Sequence, residues 1–254
     1  MRILALIPAR YASTRFPGKP LAEIAGKPMI RWVYERTAAV FPDCYVATDD
    51  DRIAGAVTGF GGNVVMTADT HQSGTDRCRE ALDSIESRTG KRFDVVVNVQ
   101  GDEPFVSSEQ LRQLSTLFTE AHTHIATLVK PFSADEDIFN PNSPKVVMTK
   151  DNYALYFSRS VVPYLRSAGE PEQWQQAHLF FKHLGLYAYR AVVLREITKL
   201  KQSPLELAEK LEQLRWLENG YRIKVAITDI PNYGIDVPED LDRVLQLYNE
   251  GVLK

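Results

Sequence analysis

The chain has 254 residues, 44% of them hydrophobic and 25% charged, with a net charge of −3. This is ordinary for a single soluble domain able to bury a sizeable core, and it excludes a broad basic surface for nucleic acid or anionic membrane. Two cysteines, Cys44 and Cys78, are too few for a disulfide framework or a Cys-rich zinc site, and the longest N-terminal apolar run is too short for a signal peptide or a membrane span. A cytoplasmic protein is therefore expected, with no membrane or nucleic-acid partner.

Residues 3–7 are an unbroken apolar run, as in a strand buried on both faces of a parallel sheet, and the strand is expected to stop at Pro8. The loop beyond it carries Arg10, Arg15 and Lys19, with Ser13-Thr14 and a Pro17-Gly18 turn between them. Open α/β sheets hold ligands beyond the carboxyl ends of their strands, and three cations there suit a triphosphate. Any one of them alone would read as part of a solvated basic turn. The loop matches neither the Gly-x-Gly-x-x-Gly dinucleotide pattern nor the Walker pattern.

Residues 28–36 predict a first helix with Pro28 at its start, and residues 44–48 a second strand. Asp49, Asp50 and Asp51 fall where a helix needs a cap and acids, which is favoured over a metal cluster. Residues 63–66 predict a third strand. Between Asp69 and Arg77, Gln72-Ser73-Gly74-Thr75 reads as a helix cap, or as a helix start whose backbone approaches a base or phosphate. Residues 93–99 form the strongest strand pattern and run into Gln100-Gly101-Asp102-Glu103-Pro104. Asp102 is either a hard oxygen ligand for Mg²⁺ facing the basic loop or a cap for a following helix.

A helix is expected over 109–118 and strands over 125–129 and 146–148, while His122 and His124 are surface residues. From Tyr153 to Tyr189 aromatic residues crowd together, which suits either core or a subunit interface. One helix is expected from Ser203 to Gly220, with Leu207, Leu211 and Leu214 as its core stripe and Glu212-Gln213 on a solvated flank. Residues 223–227 predict a late strand. Asp236 precedes Pro238, where a helix cap would stand.

The segment Pro8-Ala9-Arg10-Tyr11-Ala12-Ser13-Thr14-Arg15-Phe16-Pro17-Gly18-Lys19-Pro20-Leu21 resembles the signature of the sugar-acid cytidylyltransferases. The resemblance extends almost to the C-terminus and leans towards members that activate 3-deoxy sugar acids such as 3-deoxy-manno-octulosonate (Kdo) for lipopolysaccharide assembly. It implies an α/β, Rossmann-like nucleotidyltransferase fold, with a mostly parallel central sheet flanked by helices and a smaller lobe at about 150–205 that forms a homodimer. It implies CTP contacts from Arg10, Ser13, Arg15, Lys19, Gln72, Ser73, Gly74 and Arg77. It further implies Mg²⁺ ligation by Asp102 and Asp236, and sugar-acid contacts from Gln100, Arg159, His183, Tyr187, Glu212 and Gln213. Val237 stands where the family more often has Thr, and residues 163–176 depart most from its pattern. The expected reaction is transfer of CMP from CTP to a sugar acid, with Arg10, Lys19, Asp102 and Asp236 carrying catalysis. The alternatives are another CMP-sugar-acid synthetase, a nucleotide-sugar-dependent glycosyltransferase or a nucleotide sensor.

Overall fold

Apolar runs that can be buried on both faces become the inner strands, and the segments between them wrap back as helices. The computed structural model describes residues 1–170 and 173–253; the segment 163–176 therefore falls partly outside the described residues. The chain begins with strand β1 (Ile3–Ala9), a 3-10 turn (Lys19–Leu21), a small hairpin of β2 (Glu23–Ile24) and β3 (Lys27–Pro28), and helix α1 (Met29–Ala38). Next come β4 (Cys44–Thr48), α2 (Asp51–Gly59), β5 (Val64–Met66), α3 (Gly74–Thr89), β6 (Val95–Asn98) and α4 (Ser108–Thr116). Then follow β7 (Ile125–Pro131), β8 (Lys145–Met148), β9 (Ala154–Ser158), α5 (Trp174–Ala177) and β10 (Phe181–Arg190). The chain closes with α6 (Ala191–Ile197), α7 (Pro204–Glu209), α8 (Gln213–Glu218), β11 (Ile223–Ile227) and α9 (Pro238–Asn249).

The main sheet runs β11-β7-β10-β6-β1-β4-β5, with β8 joined to β10 and β9 to β8. β1 pairs in parallel with β4 and β6, β4 with β5, and β7 with β11. β10 is antiparallel to both its neighbours, β6 and β7, so it separates two parallel groups. On one face Leu4, Leu6, Val96, Leu82 and Trp216 build the core beneath α3 and α8. On the other, Ile7, Val33, Val57, Val97 and Leu111 pack beneath α1, α2 and α4. Among the described residues no helix is long and apolar enough to cross a membrane.

Three local expectations are corrected. β1 does not stop at Pro8 but continues to Ala9, with Pro8 opposite Ala47 in β4. The Leu6 carbonyl accepts from Val99 N–H on the β6 side, so by the two-residue alternation the missing N–H of Pro8 also faces β6, whose pairing with β1 ends at Asn98. No ladder hydrogen bond is lost. The helix expected from Ser203 to Gly220 is two helices, because Lys210 takes a left-handed φ of 53° and ends α7 before α8 begins; Leu207, expected in the core stripe, is 47% exposed. Asp236 does not cap the last helix. Asp240 does so from inside it, accepting from the backbone N–H groups of Asp236 at 2.8 Å and Val237 at 3.0 Å and leaving the Asp236 carboxylate free to turn away.

Candidate active site

The loops after β1 and β6, the start of α3 and the segment before α9 meet around a cavity of about 240 Å³. Its wall includes Arg10, Ser13, Arg15, Lys19, Gln72, Ser73, Gly74, Arg77, Gln100, Asp102 and Asp236, which is every CTP and Mg²⁺ contact expected from the sequence, together with Gln100. The β1 and β6 loops approach this closely because position 101 has no side chain: a Cβ on Gly101 would meet the Pro8 carbonyl oxygen at 2.9 Å.

Lys19 ties the cavity together. Its Nζ donates to Asp102 Oδ2 at 2.7 Å and to the Ile235 carbonyl at 2.7 Å, and lies 3.6 Å from Asp236 Oδ1. Arg15 Nη2 donates to the same Asp236 oxygen at 3.0 Å. A backbone bond from Ile235 N–H to the Asp102 carbonyl, 3.0 Å, fixes one acidic loop on the other. The two carboxylates therefore share one cationic position although 134 residues separate them in the chain. The reading of Asp102 as a helix cap fails, because α4 is capped by Ser107.

Behind this pair sits Glu103, which the sequence reading gave only a supporting place beside Asp102. It accepts from Asn232 Nδ2 at 2.9 Å, and burial, aided by repulsion from Asp102 and Asp236, pushes its carboxyl up to about 8. Gly234 passes so near that an added Cβ would meet Glu103 Oε1 at 3.0 Å.

Ser73 caps α3, accepting from Asp76 N–H at 3.1 Å, so cap and cavity wall are the same residue. Arg77 is buried, with Nη1 bonded to Thr67 Oγ1 at 2.6 Å and 3.4 Å from Asp49, so it braces the cavity floor. Asp50, accepting from Arg52 N–H at 2.9 Å, caps α2. His71, paired with Glu80, also lines the cavity; the flanking hydroxyl residues hid it in the sequence.

The expected sugar-acid contacts are arranged differently. Gln100 Nε2 donates to the Gly185 carbonyl at 3.2 Å, linking the β6 loop to a bulge in β10. His183 lies against Phe157 and Tyr187, with a ring nitrogen 3.0 Å from Thr127 Oγ1. Although its residue keeps some accessible surface, burial pushes the imidazole down to about 3. Glu212 and Gln213 are not on a solvated flank. Thr75 Oγ1 donates to Glu212 Oε2 at 2.7 Å, burial raises the Glu212 carboxyl, and Gln213 is only 5% exposed. Glu212 also lines a second cavity of about 210 Å³, shared with Gln72 and Ser73 of the first. Arg159 stands apart from this group. Its Nε donates to the Glu209 carbonyl at 2.7 Å and its Nη1 to the Pro141 carbonyl at 2.8 Å, so the guanidinium closes a loop junction.

A mostly parallel Rossmann-like sheet, with three cations and two carboxylates converging beyond the carboxyl ends of β1 and β6, defines a nucleotidyltransferase. The cytidylyltransferase family model matches residues 4–224, and the chain belongs to that family. It is 60% identical over 249 residues to the 3-deoxy-manno-octulosonate cytidylyltransferase of Parabacteroides distasonis, with 96% of this chain and 97% of the relative covered. It is 59% identical to the protein of the same description from Bacteroides thetaiotaomicron, over 95% and 96% of the two chains. A solved structure of CMP:2-keto-3-deoxy-manno-octonic acid synthetase complexed with CTP superposes with a TM-score of 0.89 at 39% identity, covering 99% of this chain and 100% of that one.

Proposed function

We propose that this chain transfers CMP from CTP to the anomeric hydroxyl of Kdo, or of a close relative such as 8-amino-Kdo, releasing pyrophosphate and supplying lipopolysaccharide synthesis. The observation that carries this reading is the Lys19 ammonium held between Asp102 and Asp236 on the wall of a cavity that also presents Arg10 and Arg15. A cation is stable at that position, and a triphosphate matches the remaining positive charge.

Mg²⁺ suits the donor set. Among the described residues no group of three or more His, Cys, Asp or Glu forms a dedicated metal cage, and Mg²⁺ typically takes one or two carboxylates plus phosphate oxygens and water. Asp102 and Asp236 would hold it, and it would supply charge neutralisation at the α-phosphate and the leaving pyrophosphate. Arg10, Arg15 and Lys19 grip the phosphates, while Gln72, Ser73 and Gly74 at the start of α3 face the nucleoside. Gln100, His183, Tyr187, Glu212 and Gln213 orient the sugar acid, and Arg159 contributes by holding the loops around it. Rate enhancement comes from in-line positioning and electrostatic stabilisation, with no covalent enzyme intermediate.

The same proposal includes a homodimer through the 150–205 lobe, where Leu155, Tyr164 and Leu179 are large exposed hydrophobics, and a cytosolic setting in which both cysteines remain free. Sedimentation velocity checks the dimer. For the activity, pyrophosphate release is measured with CTP, Mg²⁺ and a panel of eight- and nine-carbon sugar acids. Release with Kdo is expected. Silence across the panel, or turnover only of a CMP-sugar with an acceptor, would overturn the assignment.

A further inference from the structure

Asp236 reaches the nucleotide cavity on residues 228–236, which form neither helix nor strand. Backbone groups outside regular structure need other partners, and here side chains supply them at both ends. Upstream, the buried Gln110 of α4 donates from Nε2 to the Ile230 carbonyl at 3.0 Å. Downstream, Asp240 accepts from Asp236 N–H at 2.8 Å. Between these anchors Asn232 Nδ2 donates to Glu103 Oε1 at 2.9 Å, and Gly234 runs against the same carboxyl, where a side chain would strike it.

Glu103 is itself a fixed post. Its N–H donates to the Gln100 carbonyl at 3.2 Å and its carbonyl accepts from Val106 N–H at 3.1 Å, so the turn after β6 holds its backbone. It is not among the residues lining the nucleotide cavity, nor among those lining a separate cavity of about 480 Å³ bordered by Asn232, Tyr233 and Gly234. With open space along that border, packing does not press residues 232–234 into place. Ile235, 0% exposed, sets the depth of the segment but not the rotation of the peptide groups beside it. Both must face inward for Ile235 N–H to reach the Asp102 carbonyl and for the Ile235 carbonyl to accept from Lys19.

Resting on the metal reading of the proposed function, we infer that Asn232 and Glu103 are positioning residues for the divalent cation: their hydrogen bond fixes residues 232–234 so that Ile235 joins the two acidic loops and Asp236 faces Asp102. Partners standing one step behind metal carboxylates change metal affinity or activity by about 10–100-fold when removed. Here the effect falls on the affinity for Mg²⁺ and not on the chemistry, because Asp102, Asp236 and the cations of the β1 loop all remain.

Asn232→Leu is the test, because it keeps the size of the side chain and removes its donor. Tm is followed by calorimetry against free Mg²⁺ with CTP present and no sugar acid, so that nothing turns over, and pyrophosphate release with Kdo is titrated with the same ion. Both midpoints should move to about tenfold higher Mg²⁺, while saturating Mg²⁺ restores kcat and the KM for Kdo to near wild-type values. In a Glu103→Met background the same substitution should shift neither midpoint further, since the bond is already gone. Unchanged midpoints overturn the inference whatever the metal-free Tm, because the bond would then serve only the fold. A loss of kcat that excess Mg²⁺ does not restore, or a full second shift in the Glu103→Met background, would overturn it as well. Wild-type protein inactive with every sugar acid would instead sink the proposed reaction, and the Tm titration, which needs no turnover, would still decide the role of Asn232.

Discussion

Lys19→Met keeps the aliphatic stem and removes the ammonium that joins two loops. That ammonium is only 12% exposed, while Asp102 is 31% and Asp236 54% exposed. A hydrogen bond involving a charged group contributes roughly 1.5–3 kcal/mol in a protected setting, and the bonds to Asp102 and Ile235 qualify in part. The Asp236 contact is half in solvent and adds less than about 1 kcal/mol. With Asp102 discounted for its own exposure, the loss comes to about 2–3 kcal/mol, or a fall in Tm of about 5–10 °C for a chain of this size. Calorimetry at neutral pH in chelator reads it, and a second scan adds Mg²⁺ without nucleotide. In the variant the two carboxylates face each other without their cation, so Mg²⁺ should raise Tm more than it does in the wild type. Pyrophosphate release should fall ~10²–10³-fold through lost transition-state stabilisation. A Tm within about 1 °C of the wild type, together with no added Mg²⁺ response, would refute the view that Lys19 holds these carboxylates together.

Other perturbations test neighbouring parts of the argument. Asp102→Asn should abolish pyrophosphate release while the protein stays folded by circular dichroism, since an amide oxygen can still accept from Lys19; near-normal turnover would remove Asp102 from the metal site. His183 is held neutral down to about 3, whereas in the unfolded chain it titrates near ~6.5. The unfolded state therefore takes up the proton first, and the stability His183 contributes is full above the unfolded value and lost as pH falls towards the folded one. His183→Gln should flatten the decline of Tm across that window, and an unchanged slope would contradict its burial. Cys44 and Cys78 are both 0% exposed and burial pushes their thiols up, so a thiol reagent should label neither in the native protein and both after denaturation.

Much of the parallel half was legible because its signals are local. β1, β4, β6 and β11 are short apolar runs bounded by polar loops, and Asp50 and Ser73 are caps whose backbone N–H donors lie within a few residues. The cationic loop could be read because Arg10, Arg15 and Lys19 are close in sequence, and the family resemblance added Asp236, which no spacing rule ties to Asp102. What escaped depended on distant partners. Pro8 is tolerated in a strand only because β6 ends opposite it. Lys210 breaks a helix that its apolar spacing would continue. Glu212 reads as a surface residue until Thr75, 137 positions earlier, is brought against it.

The reversed strand β10 also has a bearing on how the chain assembles. Residues 1–98 contain β1, β4, β5 and β6 with every strand-to-strand pairing among them, so this half can close as it leaves the ribosome. β7, by contrast, gains its link to β6 only after residue 190 has emerged, and β11 docks on β7 later still. The nucleotide-facing half should thus acquire protease resistance well before the opposite edge. Limited proteolysis of chains arrested shortly before β10 would reveal this vectorial order, and uniform sensitivity along such chains would argue for one concerted step.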